Sequence, residues 1–148
     1  MSDNFVRLIP KKVGVMFPDL LESLIENYLD SIEYKYETIR IVTFEDITFI
    51  DCGENLDSIR CNVCGANLDG WWQERMSESY NSGFVDRTIK TPCCSSVTEL
   101  ENLKYNFNCG FSKCEIEIFN PLRKIEISDI IKIEKIINCQ LMQIIARY

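Results

Sequence analysis

Four of the eight cysteines in this 148-residue chain fall into two close pairs, Cys61 with Cys64 and Cys93 with Cys94. Thiols so placed can ligate a metal, cycle as a redox pair or pack as small apolar groups. Cys61-Asn62-Val63-Cys64-Gly65 has the spacing of a zinc knuckle. Two intervening residues let a tight turn aim both thiolates at one ion, and the following glycine permits the positive φ such turns use. Pro92-Cys93-Cys94-Ser95 departs from the usual spacing. Neighbours in an extended strand point to opposite faces, so both thiolates reach one ion only if Pro92 sets a turn. The pattern predicts a structural Zn2+ held by Cys61, Cys64, Cys93 and Cys94; if one of the adjacent pair is merely buried, Cys109 or Cys52 is the fourth ligand. A four-thiolate zinc site leaves no position for water or substrate, so it contributes folding energy and not catalysis.

Other chemistry is disfavoured. The chain has no histidine, which removes Ser-His-Asp and Cys-His catalysis and every mixed Cys/His metal site. A redox reading of Cys61 and Cys64 requires a helix N-terminus at the first thiol, whereas "CNVCGANLDG" reads as a turn. Cys52, the one nucleophile candidate in a polar context, lies beside Asp51 and Glu54, and two carboxylates oppose thiolate formation. Cys114 and Cys139 sit among isoleucines and are expected to pack as core hydrophobes. No enzymatic function is expected.

The formal net charge is -7, and from Asp19 to Asp57 there are eleven acids against two bases. Nucleic-acid affinity rests on cationic side chains displacing counterions, so no nucleic-acid partner is expected. Neither the N-terminus nor the charge-interrupted apolar tail reads as a signal peptide or a membrane span. A soluble, cytoplasmic protein is expected, where a reducing environment keeps thiols free.

Alternation in "FVRLIP" predicts a strand. Pro18 opens a helix whose apolar stripe runs from Leu20 to Ile32. "ETIRIVTF" and "DITFID" read as one strand with an irregularity at Glu45-Asp46, or as two. After the cysteine-rich section, "SKCEIEIFNP" is a half-buried strand, Ser128 caps an isoleucine-rich helix, and "QLMQIIARY" closes as a strand. Strand-helix-strand, insertion, strand-helix-strand predicts a single α+β domain over residues 1–148. Its expected form is a ferredoxin-like βαβ-βαβ sandwich with a zinc-ribbon-like insertion over 52–111. Within the insertion, Asp69 is expected to cap a helix carrying Trp71 and Trp72, which cover the zinc module or form a binding surface.

The segments "FIDCGEN", "CNVCGANL", "WWQERM", "TPCCS" and "GF" before a strand ending "NP" resemble a widespread family of small, uncharacterised bacterial proteins with a central Cys-rich zinc-ribbon-like segment. The resemblance implies a cytoplasmic bacterial protein with Cys61, Cys64, Cys93 and Cys94 as the matched ligand positions, and implies no activity. Position 62 is Asn where the family pattern has proline.

The leading expectation is therefore a non-catalytic protein-interaction module stiffened by zinc. Glu22, Glu26 and Asp30, with Asp19 and Glu33, line one helix face at spacings of three or four. Like charges so spaced weaken a helix by about 0.2–0.5 kcal/mol per pair, and the stripe would steer a basic protein partner. An acidic immunity or antitoxin protein neutralising a basic toxin is the first alternative, and a thiol/redox protein using its cysteine pairs the second.

Overall fold

The computed structural model describes residues 2–148. It is an α+β structure with three helices and a four-stranded antiparallel sheet. In chain order the elements are β1 (Asn4–Pro10), α1 (Leu21–Ser31), β2 (Thr38–Ile50), β3 (Ile59–Arg60), α2 (Asp69–Tyr80), β4 (Thr88–Lys90), β5 (Val97–Glu99), β6 (Lys104–Tyr105), β7 (Gly110–Phe119), α3 (Ile127–Ile137) and β8 (Leu141–Arg147). The main sheet runs β2-β7-β1-β8. Among the described residues no helix is long and apolar enough to cross a membrane.

Alternation decides which sheet face is covered. Val6 and Leu8 of β1 and Ile116 and Ile118 of β7 point to one side, where Leu21, Ile25 and Leu29 of α1 and Ile130, Ile133 and Ile137 of α3 pack on them. The intervening residues Arg7, Glu115 and Glu117 share the opposite face, where Arg7 Nε lies 3.5 Å from Glu115 and 3.9 Å from Glu117. Each fully buried leucine or isoleucine contributes about 1.5–3 kcal/mol, so the helix-covered face dominates the sheet's stability.

Three helix starts differ from the sequence expectation. Pro18 does not open α1: Leu20 adopts a left-handed φ of 60° and the helix begins at Leu21. That break exposes Leu20 and leaves Leu24 half-exposed, so the buried stripe narrows to Leu21, Ile25 and Leu29. Glu126, not Ser128, is the N-cap residue of α3, with no side-chain cap. Asp129 in its first turn accepts a 2.7 Å hydrogen bond from the Tyr28 hydroxyl, tying α1 to α3. Asp69 does not cap α2 either, because its carboxylate accepts the Ile59 N–H at 2.9 Å. β2 is one strand whose pairing with β7 shifts register between Thr43 and Thr48, bracketing Glu45-Asp46.

The segment between β2 and β7 forms two short two-stranded antiparallel ladders, β3 with β6 and β4 with β5. It has its own apolar cluster, in which Ile59, Leu68, Phe84, Ile89, Leu100 and Leu103 close around Phe111 of β7. Phe111 stacks against Phe49 at 5.3 Å and Phe84 at 5.2 Å, so one sheet residue anchors the insertion. At its neck, Gly53 bridges to Arg147 of edge strand β8 and Glu54 N–H donates to the Arg147 carbonyl at 2.7 Å. Gly53 has φ +60°, and any Cβ there would collide with that carbonyl, so the neck requires glycine.

Candidate metal centre

The turn after β3 and the turn after β4 are built alike. In the first, Cys61 N–H donates to Ala66 O at 2.9 Å and Gly65 N–H to Cys61 O at 3.0 Å. In the second, Thr91 N–H donates to Ser96 O at 2.9 Å and Ser95 N–H to Thr91 O at 2.9 Å. Gly65 and Ser95 both take positive φ, 77° and 57°. Ile59 and Ile89, two residues before each turn, are both buried in the insertion core. The turns therefore superpose in register as Cys61 on Thr91, Val63 on Cys93, and Cys64 on Cys94.

This correspondence resolves the odd spacing of the second pair. Thr91 occupies the place of a knuckle's first cysteine, and Cys93, one step before Cys94 on the turn, supplies the missing thiol. The turn beginning at Pro92 removes the opposed-face problem that an extended strand would pose. The two turns bring the Sγ atoms of Cys61, Cys64, Cys93 and Cys94 all within 4.8 Å of one another. Cys61 lies 3.7 Å from Cys94, Cys64 3.3 Å from Cys93, and Cys93 3.9 Å from Cys94. A tetrahedral ion with metal–sulfur bonds of about 2.3 Å has sulfur–sulfur edges of about 3.8 Å. The donor set and its spacing are thus compatible with one metal ion.

The surroundings favour the thiolate at Cys61 and Cys94. Val63 N–H donates to Cys61 Sγ at 3.4 Å, and backbone N–H groups of the turn lower the Cys61 pKa. Ser96 Oγ lies 3.1 Å and Thr91 Oγ1 3.4 Å from Cys94 Sγ, and these hydroxyls bring Cys94 down to about 6. Cys93 is pushed up to about 12, chiefly by its contact with Cys64. In the absence of a cation, crowded thiols cannot all ionise; a bound divalent ion reverses that order and deprotonates each ligand. Cys61 is buried while Cys64, Cys93 and Cys94 are exposed, so the centre opens at the surface of the insertion.

Supporting residues hold the turns from behind. Arg87 reaches Glu101 through Nε at 3.0 Å and Nη2 at 3.1 Å, and donates to Phe84 O at 2.7 Å, fixing the chain that enters β4. Asp69 grips Ile59 before the first turn. Sequence reasoning missed Thr91 and Ser96. The signal was present in the parallel runs Ile59-Arg60-Cys61 and Ile89-Lys90-Thr91, each ending in its turn.

The other candidates lie apart. Cys52 and Cys109 do not join the cluster: both are buried, and their sulfurs lie 3.3 Å from each other at the neck. Cys114 is buried within β7, and Cys139 is half-buried against the helix-covered core. Trp72 points into the insertion core, its indole N–H donating to the Tyr105 hydroxyl at 3.1 Å, which in turn donates to Leu100 O at 2.8 Å. Trp71 is also partly buried against that cluster, with the Arg75 guanidinium 5.6 Å from its ring centre. On α1, Glu22 and Asp30 are exposed and Glu26 half-buried. Glu22, Glu26 and Asp19 rim a depression of about 480 Å³ whose lining includes Met16, Phe17 and Ile41.

No protein-family model, no curated protein and no solved structure matches the chain.

Proposed function

We propose that this chain is a non-catalytic protein-interaction module: a ferredoxin-like sandwich carrying a zinc-ribbon-like insertion stiffened by one structural Zn2+. The observation that carries the reading is the convergence of Cys61, Cys64, Cys93 and Cys94 from two matched turns. Four sulfur donors complete a tetrahedron, which leaves no position for water or substrate, and soft thiolates favour zinc over hard cations. The sheet order β2-β7-β1-β8 with all neighbours antiparallel supports the ferredoxin-like topology. Eight free thiols suit a reducing cytoplasm, in keeping with the bacterial family the motifs resemble.

The docking surface in this reading is the acidic ledge of α1. Carboxylates of Asp19, Glu22 and Glu26 around a depression of mixed polar and apolar lining fit a basic segment of a partner protein, with the charges steering encounter and Met16, Phe17 and Ile41 supplying apolar contact. Trp71 and Trp72 serve mainly to seal the insertion core.

The test has two arms. Elemental analysis of protein purified without chelator is expected to find one zinc per chain, lost in the Cys61→Ser, Cys64→Ser variant together with the blue-shifted tryptophan emission of the folded insertion. Iron in its place, or no metal with unchanged emission, refutes the zinc assignment. In the second arm, zinc-loaded protein is expected to retain one basic protein from native lysate at low salt. A Glu22→Lys, Glu26→Lys, Asp30→Lys variant should lose it; retention indifferent to charge reversal, or no partner at low salt, refutes the docking surface.

A further inference from the structure

Cys52 and Cys109 mark the two places where the chain leaves the sheet for the insertion and returns to it. Cys52 stands two residues after the end of β2, and Cys109 immediately precedes β7; the last pair of the ladder between them is Ile50 with Gly110. Their sulfurs face each other at 3.3 Å in a pocket of Ile9, Ile50 and Ile144, the two thiols being 0% and 4% exposed. Metal ligation does not use this pair, and core packing alone does not require two polarisable sulfurs in mutual contact. A disulfide needs a sulfur–sulfur bond of about 2.0 Å, so the two atoms must approach by only about 1.3 Å more.

We propose that Cys52 and Cys109 are a modification site, forming a reversible intramolecular disulfide that clamps the neck of the insertion. The oxidant class is a low-molecular-weight disulfide such as oxidised glutathione. The Cys52 thiolate attacks one sulfur of the oxidant, giving a mixed disulfide and releasing one thiolate. The Cys109 thiolate then attacks the Cys52 sulfur, forming the protein disulfide and expelling the second. Two protein thiols lose two electrons and two protons, and the oxidant becomes two small-molecule thiols. Burial raises both thiols, and the contact with Cys109 offsets part of that rise for Cys52. The reaction therefore waits on local opening at the neck, and is slow compared with that of a surface thiol.

The clamp acts where the metal does not. The thiol cluster restrains the turns at the insertion's outer end, whereas a bond at Cys52–Cys109 pins the open end of the β2–β7 ladder. Opening of residues 53–108 would then stop at the sheet.

The test uses the zinc-loaded full chain in glutathione buffers graded from reducing to oxidising, quenched in acid, unfolded, alkylated and digested with trypsin. Cleavage isolates Cys52 in peptide 41–60 and Cys109 in peptide 105–113, each with a single cysteine. The expected product joins these two peptides, lacks two hydrogens, keeps its zinc before digestion, and reverts with dithiothreitol. A Cys109→Ala variant should instead accumulate a glutathione adduct on Cys52. The proposal is overturned if both peptides carry the alkyl group in the most oxidising buffer. It is equally overturned if the first disulfide falls among Cys61, Cys64, Cys93 and Cys94 with zinc release. The wild-type map decides the matter even if the variant fails to fold.

Discussion

The register of the two turns makes a testable statement about ligand geometry. If Thr91 stands where a knuckle's first cysteine belongs, Thr91→Cys should compensate for loss of Cys93. Structural zinc sites bind with apparent free energies of about 10–16 kcal/mol at neutral pH, so in the proposed zinc site each of four thiolates would account for roughly 3 kcal/mol. Cys93→Val alone should therefore weaken metal binding by about two orders of magnitude. Adding Thr91→Cys restores a fourth sulfur next to Cys94, at the cost of the hydroxyl that accepts the Ser96 N–H at 3.1 Å. That lost hydrogen bond costs about 1 kcal/mol. The double variant should consequently recover to within about tenfold of the parent. Competition against a chromophoric chelator measures the affinities. Emission from Trp71 and Trp72, the chain's two tryptophans, checks that the insertion is folded. A double variant that binds no better than Cys93→Val, with native emission, would refute the equivalence of the turns.

Two further predictions concern the frame around the centre. Burial pushes Glu115 up to about 7 against the pull of Arg7, so the folded state holds a proton that the unfolded chain releases near pH 4.5. Stability from this group is present at low pH and is lost as pH rises from about 4.5 through 7, by up to roughly 3 kcal/mol. Glu115→Gln should remove that slope and be the more stable protein at pH 8; chemical denaturation of both across this range measures it, and parallel curves count against the assignment. Gly53→Ala should destabilise by at least about 2 kcal/mol, because a left-handed φ and a backbone collision coincide there. Hydrogen exchange should show faster loss of protection at Glu54, whose N–H is held by Arg147, and unchanged exchange would contradict the neck geometry.

Several features were legible in the sequence because short-range physics determines them. Alternation in β1 and β7 places Val6, Leu8, Ile116 and Ile118 on one face wherever those strands pair. The isoleucine spacing of α3 finds its core in the same way, and Asn138 ends that helix by taking a left-handed φ of 52°. Helix starts were not legible: Pro18 suits a first helical turn and Ser128 and Asp69 suit a cap locally, yet Leu20 turns left-handed, α3 starts one residue before Ser128, and Asp69 is drawn to Ile59. Side chains that favour caps also serve any nearby orphan donor, and only the assembled fold says which donor is near.

By itself the sequence determined the chemistry available to this protein: thiols and carboxylates without imidazole, an acidic helix, and a cysteine-rich stretch between two strand–helix–strand runs. Residue type and short spacing suffice for that. The tertiary structure decided that Cys93 and Cys94 both join Cys61 and Cys64, and that Cys52 and Cys109 meet each other instead of supplying a fourth ligand. Cys61 and Cys94 are thirty-three residues apart and Cys52 and Cys109 fifty-seven; local spacing pointed to the first cluster but left its fourth ligand open and gave no sign that Cys52 and Cys109 pair at the neck. That partition follows from β2 and β7 pairing up to Ile50 and Gly110. The ladder brings the ends of the insertion together there and leaves its two matched turns to converge at the far end.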